Sequence, residues 1–66
     1  MRVSDFWHRL EQVFGPGYAA SVASDQVLSQ LGGRTITEAL GAGVAAGEVW
    51  RAVVAAYPDR VPSKLR

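Results

Sequence analysis

No cysteine occurs in the 66 residues, which excludes disulfides and thiolate metal sites at once. Histidine occurs only as His8, so a metal cage would need several carboxylates brought together by the fold. Long apolar runs are also missing. The longest, Ala52 to Tyr57, is far too short to span a bilayer. The first five residues lead straight into an amphipathic pattern, without the apolar stretch and cleavage site of a secretory signal. Together these features lead us to expect a cytoplasmic protein without membrane attachment. A chain of this length buries only about 60% of its unfolded surface, so stability must come from helix packing, helped or not by self-association.

A strong excess of either charge is lacking too. Residues 1 to 57 hold four arginines (Arg2, Arg9, Arg34, Arg51) against five acids (Asp5, Glu11, Asp25, Glu38, Glu48). The net charge of +1 therefore arises in the last nine residues, where Arg60, Lys64 and Arg66 face only Asp59. A domain that grips phosphates usually shows a basic face, and this balance does not supply a strong one.

What is present is helical patterning. Ser4 is suited to cap a first helix, with Asp5 in its first turn. Phe6, Trp7, Leu10, Val13 and Phe14 fall on one face of that helix, and Gly15-Pro16-Gly17 stops it. A second helix is expected from about Tyr18 to Leu31. Ala20, Ala23, Ser24, Val27, Leu28 and Leu31 share one face while Tyr18 and Val22 lie roughly opposite. Either its first turn packs on another neighbour or the helix bends near Ser24-Asp25. Gly32-Gly33 ends it.

Thr35-Ile36-Thr37-Glu38 matches the capping box and starts a short helix over about Ile36 to Ala42, with Gly43 as its cap. A last helix is expected from about Ala46 to Tyr57, with Val49, Trp50, Val53, Ala56 and Tyr57 along one stripe and Pro58 ending it. Residues 58–66 carry Pro58 and Pro62, scattered charge and no periodicity, which predicts a mobile basic tail behind a single domain of residues 1–57. No segment alternates at period two. The expected fold is all-α, a three- or four-helix bundle.

Thr35 to Val54 resembles a DNA-binding helix-turn-helix. Counting Thr35 as the first position, Ala39, Gly43, Val44 and Val49 stand where that motif has a small residue, a turn glycine and two apolar residues. Glu38 departs from the pattern, since an apolar residue is usual there. The start of the second helix, Ala45-Ala46-Gly47-Glu48, is poor in side chains that read base edges, and Glu48 would repel phosphate.

Trp7 and Trp50 sit in apolar stripes and are expected in the core with their indole N–H groups at its edge. Leu31-Gly32-Gly33-Arg34-Thr35 resembles an anion cradle in outline, without the spacing of a phosphate-binding loop, and is read as an interhelical turn. No nucleophile–base set or carboxylate pair is visible, so the chain is read as non-enzymatic, with no cofactor, metal or small-molecule substrate. The candidate contacts with a partner or a nucleic acid are Arg34, Thr35, Trp50, Arg51, Arg60, Lys64 and Arg66.

The opening Met1-Arg2 with Phe6-Trp7, Phe14-Gly15, Leu31-Gly32-Gly33-Arg34-Thr35, Ala39-Leu40 with Gly43, and Val49-Trp50-Arg51-Ala52 together resemble a family of short actinobacterial proteins, domain-of-unknown-function family 3046. The resemblance covers roughly residues 1 to 56. It implies no activity. Family genes tend to lie near those of the recombination protein and its regulator and near tRNA-modification genes, which implies a link to DNA repair or tRNA processing. Relatives often carry an acid and a proline before the last helix, where this chain has Ala45-Ala46. The leading expectation is a non-catalytic module docking on a protein partner or on itself. The alternative is weak DNA or RNA binding through the helix-turn-helix.

Overall fold

The computed structural model describes all of residues 1–66. Four helices, α1 (Val3–Phe14), α2 (Ala19–Asp25), α3 (Ile36–Gly41) and α4 (Ala46–Ala56), enclose one core. A minimal antiparallel ladder of β1 (Val27–Leu28) and β2 (Arg34–Thr35) lies between α2 and α3. The chain is all-α in architecture, with its C-terminal α3–α4 pair arranged like a helix-turn-helix.

The sequence pattern accounts for α1. Phe6 and Leu10 are fully buried, while Trp7, Val13 and Phe14 flank them half-buried. Its start lies two residues before the expected cap at Ser4. Arg2 is the cap position, its amide donates to the Asp5 carboxylate at 3.4 Å, and its carbonyl accepts from Phe6 N. Asp5 therefore accepts one open amide at the start of the helix, and Ser4 does not act as its cap.

The expected second helix is where structure and sequence part. α2 ends at Asp25 instead of continuing to Leu31, and the chain turns extended at Gln26. Ser24 Oγ donates back to the Ala20 carbonyl at 3.0 Å, a local bond that competes with regular helix geometry. Val27, stiff at its branched Cβ, enters the ladder opposite Thr35, and Leu28 pairs with Arg34. A 3-10 turn at Ser29–Leu31 follows. Leu28 and Leu31 reach the core as the helical reading expected, but Val27 faces solvent at 61% exposure. The hairpin closes through Gly32 (φ 72°) and Gly33 (φ 80°), consecutive left-handed positions that side-chain-bearing residues adopt only at a cost.

α4 is the central element, packed against α1, α3, β1 and the 3-10 turn. Val49 and Val53 are fully buried there alongside Ile36 of α3. Phe6 meets the rings of both tryptophans edge to face, at 5.6 Å from Trp7 and 5.8 Å from Trp50.

Residues 58–66 are not a tail lying off the body. Val61 is 2% exposed and belongs to the core cluster, Leu65 packs against that cluster, and Ser63–Leu65 form a 3-10 turn. The folded domain thus extends beyond Tyr57. Two prolines and mixed charge hid this in the sequence, because one buried valine leaves no periodic signal.

Candidate docking surface

The α3–α4 unit is built from its first residue. Thr35 N donates to Glu38 Oε1 at 2.9 Å, and Glu38 N donates to Thr35 Oγ1 at 3.1 Å, completing the capping box in both directions. Glu38 thus occupies its position in the motif as a cap. Thr35 itself is buried, with its hydroxyl spent on α3, and so is withdrawn from the candidate contacts. Ala39 is buried at the helix crossing. Gly43 (φ 89°) turns the chain so that Val44 N reaches the Ala39 carbonyl at 3.1 Å.

α4 then begins at Ala46 without a side-chain cap, since Ala45 stands at the cap position. Ala46, Val49, Trp50, Ala52 and Val53 turn inward. Glu48, Arg51 and Ala55 are the exposed residues of the helix, a narrow stripe with one charge of each sign.

Trp50, a candidate contact from the sequence, is 2% exposed, with the Arg9 guanidinium 5.9 Å over its ring and the C-terminal segment at its indole nitrogen. Its Nε1 donates to the Leu65 carbonyl at 2.9 Å. Its place as a surface contact is corrected to a core anchor, whose polar edge is satisfied as expected of a buried indole.

The basic residues of the last segment are held locally. The Arg60 guanidinium stacks over Phe14 at 5.0 Å, and Phe14 meets Tyr57 edge to face at 5.2 Å. Arg66 donates from Nε to the Val61 carbonyl at 3.2 Å and from Nη2 to the Pro58 carbonyl at 2.6 Å. Lys64 lines an open depression with Gln12, Pro62 and Leu65. On β2, Arg34 donates from Nε to the Leu31 carbonyl at 3.2 Å and remains exposed. Arg51 is exposed on the outer stripe of α4. No hydrogen bond joins any two of the seven candidates, and Arg34, Arg51 and Lys64 stand on three separate elements.

Sequence reasoning missed exposed apolar side chains. Met1, Val3, Tyr18 and Val27 all stand about half exposed or more. Val3 continues the apolar stripe of α1 beyond the end of the core, and the helical pattern had assigned Val27 to the interior. No group of His, Asp and Glu side chains is placed to hold a metal ion, and no helix is long and apolar enough to cross a membrane.

No curated protein and no solved structure matches the chain. Residues 1–64 match the family described as "Protein of unknown function (DUF3046)", a span that takes in most of the C-terminal segment, and the chain belongs to that family.

Proposed function

We propose that this member of the DUF3046 family is a non-catalytic docking module, which binds a protein surface through the outer side of its α3–α4 unit with Arg34 and Arg51 at the rim. The surface it meets belongs to a protein partner or to a second copy of the chain. One observation carries this reading: the basic segment of the sequence does not form a basic face. Arg60 lies over Phe14, and Arg66 folds back on the carbonyls of Pro58 and Val61. The other exposed cations, Arg2, Arg34, Arg51 and Lys64, are dispersed over separate elements, and Glu48 sits one helical turn from Arg51. Neutralising several phosphates at once needs more positive charge in one place than this.

The surface around the turn suits a protein better. Leu40 and Val44 are half-buried, and Gly41, Ala42, Gly43 and Ala45 are exposed, giving a weakly charged patch with polar residues at its edge. A standard interface takes about 800 Å² from each partner. That is a fifth of this chain's 3940 Å², so contact must extend from the turn onto β2 and α4.

The second reading, weak DNA or RNA binding through the helix-turn-helix, is favoured by the arrangement of Ala39, Gly43, Val44 and Val49. A reading helix offers hydrogen-bonding side chains to base edges, and the exposed stripe of α4 offers only Glu48 and Arg51.

The test is an amide-resolved NMR titration with duplex DNA and with tRNA at low and moderate salt, paired with a photoreactive residue at position 51 in the native host. Docking predicts flat spectra at Arg34 and Ala46–Arg51 at moderate salt, and a discrete protein adduct or a crosslinked dimer. Shifts at those residues that persist at moderate salt, without an adduct, would transfer the assignment to nucleic acid.

A further inference from the structure

We propose that residues 58–66 act as a latch, a segment that opens from the helical body as a unit while α1–α4 stay folded, and uncovers Trp50. The argument begins with where the segment's hydrogen bonds go. Arg60 N and Val61 N both donate to the Tyr57 carbonyl at the hinge. Leu65 N donates to the Pro62 carbonyl and Arg66 N to the Ser63 carbonyl. The Arg66 side chain closes the loop on the carbonyls of Pro58 and Val61. A single hydrogen bond, from Trp50 Nε1 to the Leu65 carbonyl, joins the segment to the body beyond the hinge.

The segment's internal bonds therefore survive opening. Apart from that one bond, closure rests on burying Val61, on half-burying Leu65 and on stacking Arg60 over Phe14. Part of the seam towards α1 is open, where Gln12, Pro62, Lys64 and Leu65 line a depression. Pro58 cannot continue α4, which places the hinge at Tyr57–Pro58. A segment with few ties to the body and a self-contained bond network is the kind of unit that opens below the threshold of global unfolding.

Trp50 is both the lock and the reporter. In the closed state its indole N–H is bonded to Leu65 and shielded. In the open state the proton is free to exchange while the backbone amides of α4 remain bonded within the helix.

Hydrogen exchange of the full-length, 15N-labelled chain tests this directly. The Trp50 indole proton should exchange at least tenfold faster than the amides of Val53 and Val54. Its rate should respond weakly to low urea, whereas the α4 amides accelerate. Arg60→Ala, which removes the stacking over Phe14 that helps to hold the segment closed, should raise indole exchange severalfold and leave the α4 amides unchanged. Indole and α4 exchange at the same rate with the same urea dependence would overturn the latch, because the segment would then leave only when the whole domain unfolds. Equal acceleration of indole and α4 amides by Arg60→Ala would overturn it as well.

Discussion

Val61→Ala asks how much of the domain's stability comes from a residue that sequence patterning places outside it. Val61 is 2% exposed, within a core cluster shared with Trp50 and Val53. The substitution removes two methyl groups, each worth about 0.8 kcal/mol on transfer, and leaves a small cavity. The expected loss is therefore about 1.5–2.5 kcal/mol, capped by the free energy of opening the segment. A domain of this length has roughly 3–10 kcal/mol in total, so the loss is a large fraction. With a urea m-value of about 1 kcal/mol/M for so small a chain, the midpoint should fall by about 1.5–2.5 M. Thermal unfolding should show a drop of roughly 10–18 °C. Ser63→Ala, at an exposed neighbour in the same segment, is the control and should stay within about 0.5 kcal/mol. Urea melts of both variants by circular dichroism, with tryptophan fluorescence in parallel, decide the matter. If Val61→Ala is as mild as Ser63→Ala, the C-terminal segment does not contribute to the core and the reasoning fails.

Other substitutions probe other links. Thr35→Ala removes the hydroxyl that accepts from Glu38 N and keeps the backbone amide that donates to the Glu38 carboxylate, so a loss of about 1 kcal/mol is expected in a urea melt. Gly43→Ala places a Cβ where nothing lies within 4 Å, so its cost is conformational alone, about 1–2 kcal/mol from forcing φ near +89°. Gly43→Asn should cost less, because asparagine tolerates the left-handed region, and equal losses would point to a contact instead of a dihedral. Arg51→Ala changes an exposed side chain, and its effect on stability should stay within about 0.5 kcal/mol. With the photoreactive residue moved to Ala55, the same substitution should weaken the crosslink described above, and an undiminished adduct would remove Arg51 from the docking surface.

The amino-acid sequence by itself determined the elements whose signals are local. The apolar stripe of Phe6, Leu10 and Phe14, the capping box of Thr35 and Glu38, the stop at Gly15 and the start of α4 at Ala46 follow from periodicity, caps and breakers acting within a few residues. The helix-turn-helix arrangement of α3 and α4 was legible for the same reason, as a small residue and a positive-φ glycine at fixed spacing. Tertiary structure decided what depends on partners distant in sequence. Residues Val27 to Leu31 fit a helical face as well as a strand followed by a 3-10 turn, because both put Leu28 and Leu31 inside. Pairing with Arg34 and Thr35 selected the latter and turned Val27 outward. Trp50 lay in an apolar stripe, yet the carbonyl that satisfies it belongs to Leu65, fifteen residues away. The fate of the basic segment was decided in the same way. Charge can be counted from the sequence, but whether Arg60 and Arg66 face a ligand, a ring or a carbonyl depends on where residues 58–66 come to rest, which buried Val61, half-buried Leu65 and the Trp50–Leu65 bond decide.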